Sequence, residues 1–396
     1  MRLGDFMRTL RDRLRRTLGA AYASLARRSD ASRISCALCE SVRSWMAGQW
    51  RRIAHVAHDA ADGAARIVAR QPWWRRAGDA GVRPAMPVQR FRRRSYRGSR
   101  YRRFELHLPR GYQEDSAYPL VMVLHGCRQT SADIRHISNF DAIADRERFV
   151  VVYPFVTGYS GMRMRNCWGW WLDGEIRPGA GEVEDLWQII EQVGRDVRID
   201  DRRIHIAGLS SGGGMAVAAM VVHARKIASG AAVAGLPYSE TPRAVSYGAA
   251  GAIAYKSTES IVGSMRSILG DRRPSPILVV HSSDDSVVGI QAAQNIRDSW
   301  AGCYGLDLVR SVSRSTGNTG GVAWTHARYR APRRRSVIET FFIDGPGHGW
   351  YGGNPGKFSF PDAPDTSELM WRFFKRHPLE SSQRSLESRQ QMAEAS

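Results

Sequence analysis

From about residue 96 the chain alternates short apolar, β-branched runs with longer stretches of helical periodicity. The runs at 104–108, 120–124, 149–153, 203–207, 276–280 and 337–343 predict strands. Between them, 182–193, 215–224 and 291–300 carry apolar residues at helical spacing, and 367–375 predicts a closing helix. Strand and helix in alternation predict an α/β architecture, a mostly parallel central sheet flanked by helices on both faces. The first run, near Phe104, is expected as an antiparallel edge. After His377 the sequence turns polar and predicts a frayed tail over 379–396. No internal repeat is found.

The first 95 residues have a different texture. Leu3, Phe6, Met7, Leu10, Leu14, Leu18, Tyr22 and Leu25 recur at helical spacing with arginines between them. This is a basic amphipathic helix, suited either to an anionic or lipid surface or to packing on another domain. Three regions follow: a helical or partly disordered Arg-rich extension over 1–95, an α/β domain over 96–378, and the tail.

Charge sharpens this division. The 396 residues carry a formal charge of +20. Residues 1–103 hold 25 Arg and no Lys against 7 acids, so nearly all of the excess lies there. Within them RRRSYRGSRYRR (92–103) interleaves Arg with Tyr96 and Tyr101. That pattern can bind nucleic acid, but it fits a linker running into the first strand better. No apolar run of about 18 residues occurs, so no spanning helix is expected. Arginines at 2, 8, 11, 13, 15 and 16 interrupt any signal-like apolar core, which makes the cytoplasm the default compartment. Five cysteines, odd and sparse, do not predict a secreted disulfide framework. Cys36 and Cys39 with His55 and His58 approach a zinc quartet, but the histidines lie closer together than such sites use, and no metal is expected.

The strongest chemical signal is Gly208-Leu209-Ser210-Ser211-Gly212, set between a predicted strand and a predicted helix. That context is what a nucleophile elbow requires: small residues flank a serine lifted above the sheet at a helix N-terminus. Ser210 is the candidate nucleophile. A serine hydroxyl needs a base. In chain order an acid and then a histidine should follow. His348 lies in the Gly-rich loop DGPGHGW after the strand at 337–343, where catalytic groups of open α/β sheets gather. The loop after 276–280 offers Asp284 and Asp285, and either could orient the imidazole. His125-Gly126-Cys127 follows an early strand, so the backbone amides of Cys127 and Ser211 are the candidate oxyanion donors. No cofactor is needed.

These pieces resemble the polyhydroxybutyrate depolymerase-type esterases, which are similar to feruloyl and acetylxylan esterases. The resemblance is carried by RRFELHLPRGY (102–112), LVMVLHGCRQT (120–130), NCWGWW (166–171), IHIAGLSSGGGMA (204–216), ILVVHSSDDSVV (277–288) and GPGHGWYGG (345–353). It implies the α/β-hydrolase fold and a triad of Ser210, Asp285 and His348, and so favours Asp285 over Asp284. Ser282 and Ser211 depart from the family's usual Gly and Ala. The resemblance also implies that Cys127 and Cys167 lie close together, as a disulfide or, in a reducing cytoplasm, as two thiols. It puts Trp168, Trp170, Trp171 and Trp350 near the site, with Trp168, Trp170 and Trp350 as candidate substrate-binding residues. The implied substrate is a polyester such as short-chain polyhydroxyalkanoate, its oligomers or another small ester. Residues 1–95 would then dock on granules or another anionic surface. The rival expectations are a feruloyl or acetylxylan esterase, and a granule- or nucleic-acid-binding protein on an inactive hydrolase scaffold.

Overall fold

The computed structural model describes residues 88–156, 165–245, 253–331 and 335–379. The amphipathic helix expected near the start, the Cys36, Cys39, His55 and His58 set, and the tail from 380 lie outside the described residues.

Ten strands make one sheet. They are β1 (Gln89–Phe91), β2 (Arg102–His107), β3 (Tyr118–Leu124), β4 (Val150–Phe155), β5 (Ile199–Leu209), β6 (Ser229–Val233), β7 (Ile277–Ser282), β8 (Val312–Thr319), β9 (Val322–Arg330) and β10 (Ser336–Ile343). Their spatial order is β1-β2-β4-β3-β5-β6-β7-β10-β9-β8. The run from β4 to β10 is parallel. Two antiparallel strands flank it at each end. The central strands are buried on both faces, which is why LVMVL and VVVY read as unbroken apolar runs rather than as alternation.

Among the described residues seven α-helices cover the sheet: α1 (Ser131–Ser138), α2 (Phe140–Glu147), α3 (Gly181–Asp196), α4 (Ser211–Val222), α5 (Thr258–Leu269), α6 (Ile290–Tyr304) and α7 (Thr366–Lys375). One face of the sheet packs Val121, Val151, Leu209, Val233, Val280 and Phe341 against α1, α2 and α7. On the other face α4 runs against β5 and β6, with α3 and α5 beside it. Eleven of the twelve residues of α4 are buried, so its polar–apolar contrast is nearly nil.

The sheet starts earlier than the boundary expected at residue 96. β1 pairs with β2 and buries Phe91, which makes β1 the edge and β2 an interior antiparallel strand. The Tyr/Arg run at 92–103 is also folded in. Asp185 accepts hydrogen bonds from Tyr96 Oη (2.6 Å), Ser99 Oγ (2.7 Å) and Arg102 Nε (2.8 Å). Arg100 pairs with Glu175 through both terminal nitrogens. Tyr96, Ser99 and Arg102 thus tie the segment to α3, while Arg92, Arg93, Arg97, Tyr101 and Arg103 are exposed. A hairpin unforeseen in the sequence, β8–β9, turns through Gly320-Gly321, both left-handed (φ 61° and 81°), as a two-residue turn requires.

Among the described residues no helix is long and apolar enough to cross a membrane.

Candidate active site

The three residues singled out for catalysis all lie past the carboxyl ends of parallel strands. Ser210 follows β5, Asp285 follows β7 and His348 follows β10. Because β7 and β10 are adjacent, their loops meet. Ser283 N donates to Ile343 O (2.9 Å), and Ser283 Oγ donates to Asp344 Oδ1 (3.0 Å).

Ser210 has φ 56° and ψ −118°, a strained conformation for a residue with a side chain. Its environment imposes that geometry. Ser210 N donates to Val233 O (2.8 Å), and Ser210 O accepts from Gly214 N (3.0 Å) as α4 begins. A Cβ on Gly212 would come within 2.5 Å of His125 O and Leu124 O, and one on Gly208 would strike the Gly212 carbonyl. Glycine at both positions lets strand and helix close around the serine.

His348 Nδ1 lies 2.7 Å from Asp285 Oδ2. Asp284, the other candidate, is exposed and accepts from Ser283 Oγ (3.1 Å). Asp285 Oδ1 accepts from Val287 N and Val288 N, both at 2.9 Å, so both carboxylate oxygens are held by hydrogen bonds. Burial works against its charge, but the His348 hydrogen bond and the field of His348 and His281 outweigh it and hold the carboxyl below its ordinary value. An ionised Asp285 accepts from His348 Nδ1–H, which fixes the tautomer and leaves Nε2 as the basic nitrogen. Beneath the pair, His281 Nε2 donates to Val288 O (2.7 Å) and stands 3.5 Å from Asp285 Oδ2. Burial lowers its pKa, and its bond to Val288 O braces the acid loop.

Ser210 and His348 line one cavity of about 230 Å³, together with Gly126, Cys127, Arg128, Arg165, Leu209, Val287 and Phe358. Ser210 is 7% exposed and the His348 side chain 11% exposed, which is enough for a reacting carbonyl to reach both.

The loop that presents Cys127 is held from several sides. Gly126 N donates to Gln129 Oε1 (2.8 Å), and Gln129 Nε2 donates to Lys357 O (3.0 Å), linking it to the histidine loop. His125 Nε2 accepts from Val156 N (3.2 Å) while Nδ1 donates to Gly126 O (2.8 Å). Burial pushes His125 down to about 4, so the ring stays neutral and acts as a bracket. Cys127 is disulfide-bonded to Cys167. Such bonds persist in oxidising compartments, which runs against the cytoplasmic default drawn from the N-terminal sequence.

The tryptophans differ from expectation. Trp168, Trp170 and Trp350 are buried and do not line the cavity. Trp168 Nε1 donates to His125 O (3.0 Å) and Trp350 Nε1 to Ser367 Oγ (3.0 Å). Trp170 joins a small core with Leu236 and Val288. These rings are too large to stay exposed while the loops around them close, so they support the site from behind. The walls are instead Val287, Leu209 and Phe358, with Arg128 and Arg165. Gln129 and Val287 lie within motifs that carry the resemblance, but Phe358 carried no sequence signal.

Strand order and the elbow at Ser210 place the molecule in the α/β-hydrolase class. The acetyl xylan esterase from Aspergillus awamori shares this fold, with a TM-score of 0.54 at 15% identity over 69% of this chain and 94% of that one. Within the class, the model of the family described as "Esterase PHB depolymerase" matches residues 102–319, more than half of the chain, and the chain belongs to that family. The match takes in Ser210 and Asp285 and stops before His348. Poly(3-hydroxyalkanoate) depolymerase C of Paucimonas lemoignei is 28% identical over 246 residues, 61% of this chain and 57% of that protein. A bifunctional acetylxylan esterase/xylanase of Neocallimastix patriciarum is 28% identical over 186 residues, 46% of this chain and 22% of that protein. Feruloyl esterase B of Neurospora crassa is 25% identical over 206 residues, 49% of this chain and 68% of that protein. The chain thus spans less than two thirds of the first two of these relatives.

Proposed function

We propose that the protein is a serine carboxylic-ester hydrolase that cleaves short-chain polyhydroxyalkanoate, polyhydroxybutyrate in particular, or its oligomers. The observation that carries the chemistry is the 2.7 Å pairing of His348 with Asp285 on the cavity that also holds the strained Ser210. His348 Nε2 takes the Ser210 proton as Oγ attacks the ester carbonyl. The amides of Cys127 and Ser211 receive the oxyanion, each worth roughly 10²–10³ in rate. The alcohol leaves with the proton from His348, and water then repeats the sequence on the acyl-enzyme to free the acid.

Membership of the esterase family supports the substrate class. The cavity wall supports soluble oligomers. Arg128 and Arg165 stand beside it, and no lining residue is acidic. Among the described residues the Arg128 guanidinium has no ion-pair partner. A hydroxyalkanoate oligomer ends in a carboxylate that the Arg128 guanidinium would attract. The second reading, a feruloyl or acetylxylan esterase, is favoured by the similarity to the Neocallimastix and Neurospora proteins. The test is hydrolysis of p-nitrophenyl butyrate, amorphous polyhydroxybutyrate and methyl ferulate by wild type and Ser210→Ala. Cleavage of the first two, lost in the variant, is expected. Cleavage of methyl ferulate without the polymer would move the substrate to carbohydrate esters, and no hydrolysis by wild type would refute the enzyme reading.

The proposal includes docking on granules or another anionic surface through residues 1–95, on the strength of their basic amphipathic pattern. Replacing Arg8, Arg11, Arg13, Arg15 and Arg16 by Gln should release the protein from sedimented granules with soluble-ester activity unchanged. Undiminished sedimentation would end that idea.

A further inference from the structure

The opposite pole of the sheet carries a second, larger cleft. Its walls come from the amino ends of β6, β7 and β10, the start of β5 and the end of α7, so it lies a full strand length from Ser210. It has a volume of about 770 Å³. Five arginines line it (Arg202, Arg272, Arg273, Arg335 and Arg376) against a single acid, Asp271.

What holds these arginines matters more than their number. Arg202 Nε donates to Leu379 O (3.1 Å). Arg272 donates to Leu269 O (2.8 Å) and Ile268 O (3.1 Å), the last carbonyls of α5. Arg335 Nη1 donates to Arg376 O (2.6 Å) at the end of α7. Arg273 lies over the Tyr304 ring, 5.7 Å from its centroid, and Tyr304 Oη is itself anchored to Pro274 O (2.6 Å). Only Arg376 meets a carboxylate, Glu339 (2.9 Å). Among the described residues, no acid lies within ion-pair distance of Arg202, Arg272, Arg273 or Arg335.

Backbone carbonyls fix a guanidinium in place without cancelling its charge. Each helix C-terminus offsets about half a charge, so the ends of α5 and α7 together neutralise about one of the four unpaired guanidinia, and the Asp271 carboxylate on the same wall offsets one more. The remaining positive charge lies on exposed side chains around one concavity, so that their fields add there. The volume is that of a small-molecule site, not of a flat contact. Guanidinium forks at several points of one cleft match a chain of phosphate groups, each with bidentate oxygens.

We infer that this cleft binds a small polyphosphate anion, at a site separate from the hydrolytic centre. The phosphates sit among Arg202, Arg272 and Arg335. If the ligand is a nucleotide, its base lies against the Tyr304 and Arg273 side. The inference does not rest on the esterase reading, since its readout is binding.

The experiment is calorimetric titration of the full-length protein with tripolyphosphate and with ATP at 150 mM salt. One site per chain is expected for both, weakened at least tenfold for both ligands in R272A/R335A, whereas R273A should weaken ATP more than tripolyphosphate. In both variants p-nitrophenyl butyrate hydrolysis should match wild type, which also certifies their folding. Equal affinities for the two ligands would assign the site to phosphate chains alone, and a preference for ATP would add the base. Arg13→Gln/Arg15→Gln should leave the site intact. Wild-type affinity in both cleft variants, or binding abolished by Arg13→Gln/Arg15→Gln, would refute the cleft and assign anion binding to the N-terminal extension.

Discussion

Acidification should destabilise this protein well above the pH at which its carboxylates titrate, because its core holds neutral histidines. Burial lowers His125 to about 4 and His205 and His223 to about 3, with the charge of His377 adding at His205 and that of Lys226 at His223. In the unfolded chain each ring has an ordinary value near 6.5. Below that pH the unfolded state therefore binds more protons, and stability rises with pH. The contribution of each ring is complete above about pH 6.5 and is lost progressively as pH falls toward the folded values. At pH 5.5 each ring is about one unit below 6.5, a loss of about 1.4 kcal/mol. Three rings lose about 4 kcal/mol between pH 7.5 and 5.5, a large part of the 5–15 kcal/mol that holds a typical domain. His281 and His377 are lowered by burial too and push the same way. Glu339 is held at about 2: burial opposes its charge, but hydrogen bonds from His326 and Ser336 prevail, so its contribution is lost only below about 4.5, outside this window. The assay is urea unfolding at pH 7.5, 6.5 and 5.5, followed by tryptophan fluorescence. His205→Asn keeps a polar atom where Nδ1 meets Ser229 Oγ (2.8 Å) and should shrink the loss by about a third. A stability profile flat over these two pH units, or an undiminished slope in the variant, would refute the reasoning.

Other expectations concern the site and its frame. Asp285→Asn keeps the shape of the acid loop but loses the charge that orients His348, so kcat on p-nitrophenyl butyrate should fall roughly 10³–10⁴-fold. A fall of less than tenfold would remove Asp285 from the triad. The Cys127–Cys167 bond closes a separation of 40 residues, for which chain entropy gives about 4 kcal/mol. Cys127→Ser/Cys167→Ser should therefore lower the urea midpoint and slow hydrolysis, and equal stability with and without the bond would contradict this. Gly212→Ala should abolish folding or activity, because its Cβ meets backbone at 2.5 Å, whereas Gly263→Ala on α5 meets nothing within 4 Å and should stabilise by about 0.5–1 kcal/mol. Circular dichroism melts of the two, side by side, decide the point.

The local order of the chain was sufficient for five of the six parallel strands; β3, β4 and β7 among them are buried on both faces and therefore spelled as apolar runs. It was sufficient for the elbow as well. A tight strand–serine–helix turn tolerates only small neighbours, and that demand is written within five residues. β6, Ser-Gly-Ala-Ala-Val, escaped notice because small residues show no β pattern, and it is a strand only because β5 and β7 hold it from both sides. The polar hairpin β8–β9 escaped because it exposes most of β8 and so has no apolar face to declare.

The sequence by itself determined the residue types of the site and their order: serine, acid, histidine, with a His-Gly loop ahead of them. It left Asp284 and Asp285 open until the resemblance favoured Asp285, and it is Asp285 that tertiary structure brings to 2.7 Å from His348. Only the fold could send Trp168, Trp170 and Trp350 into the interior and bring Arg128, Arg165 and Phe358 to the cavity. Only the fold could gather Arg202, Arg272 and Arg335 in one cleft from three distant segments. Periodicity and turn chemistry act over a few residues and can be read along the chain. Which side chains face one another across a loop depends on contacts between segments tens to hundreds of residues apart, set when the sheet closes its layers.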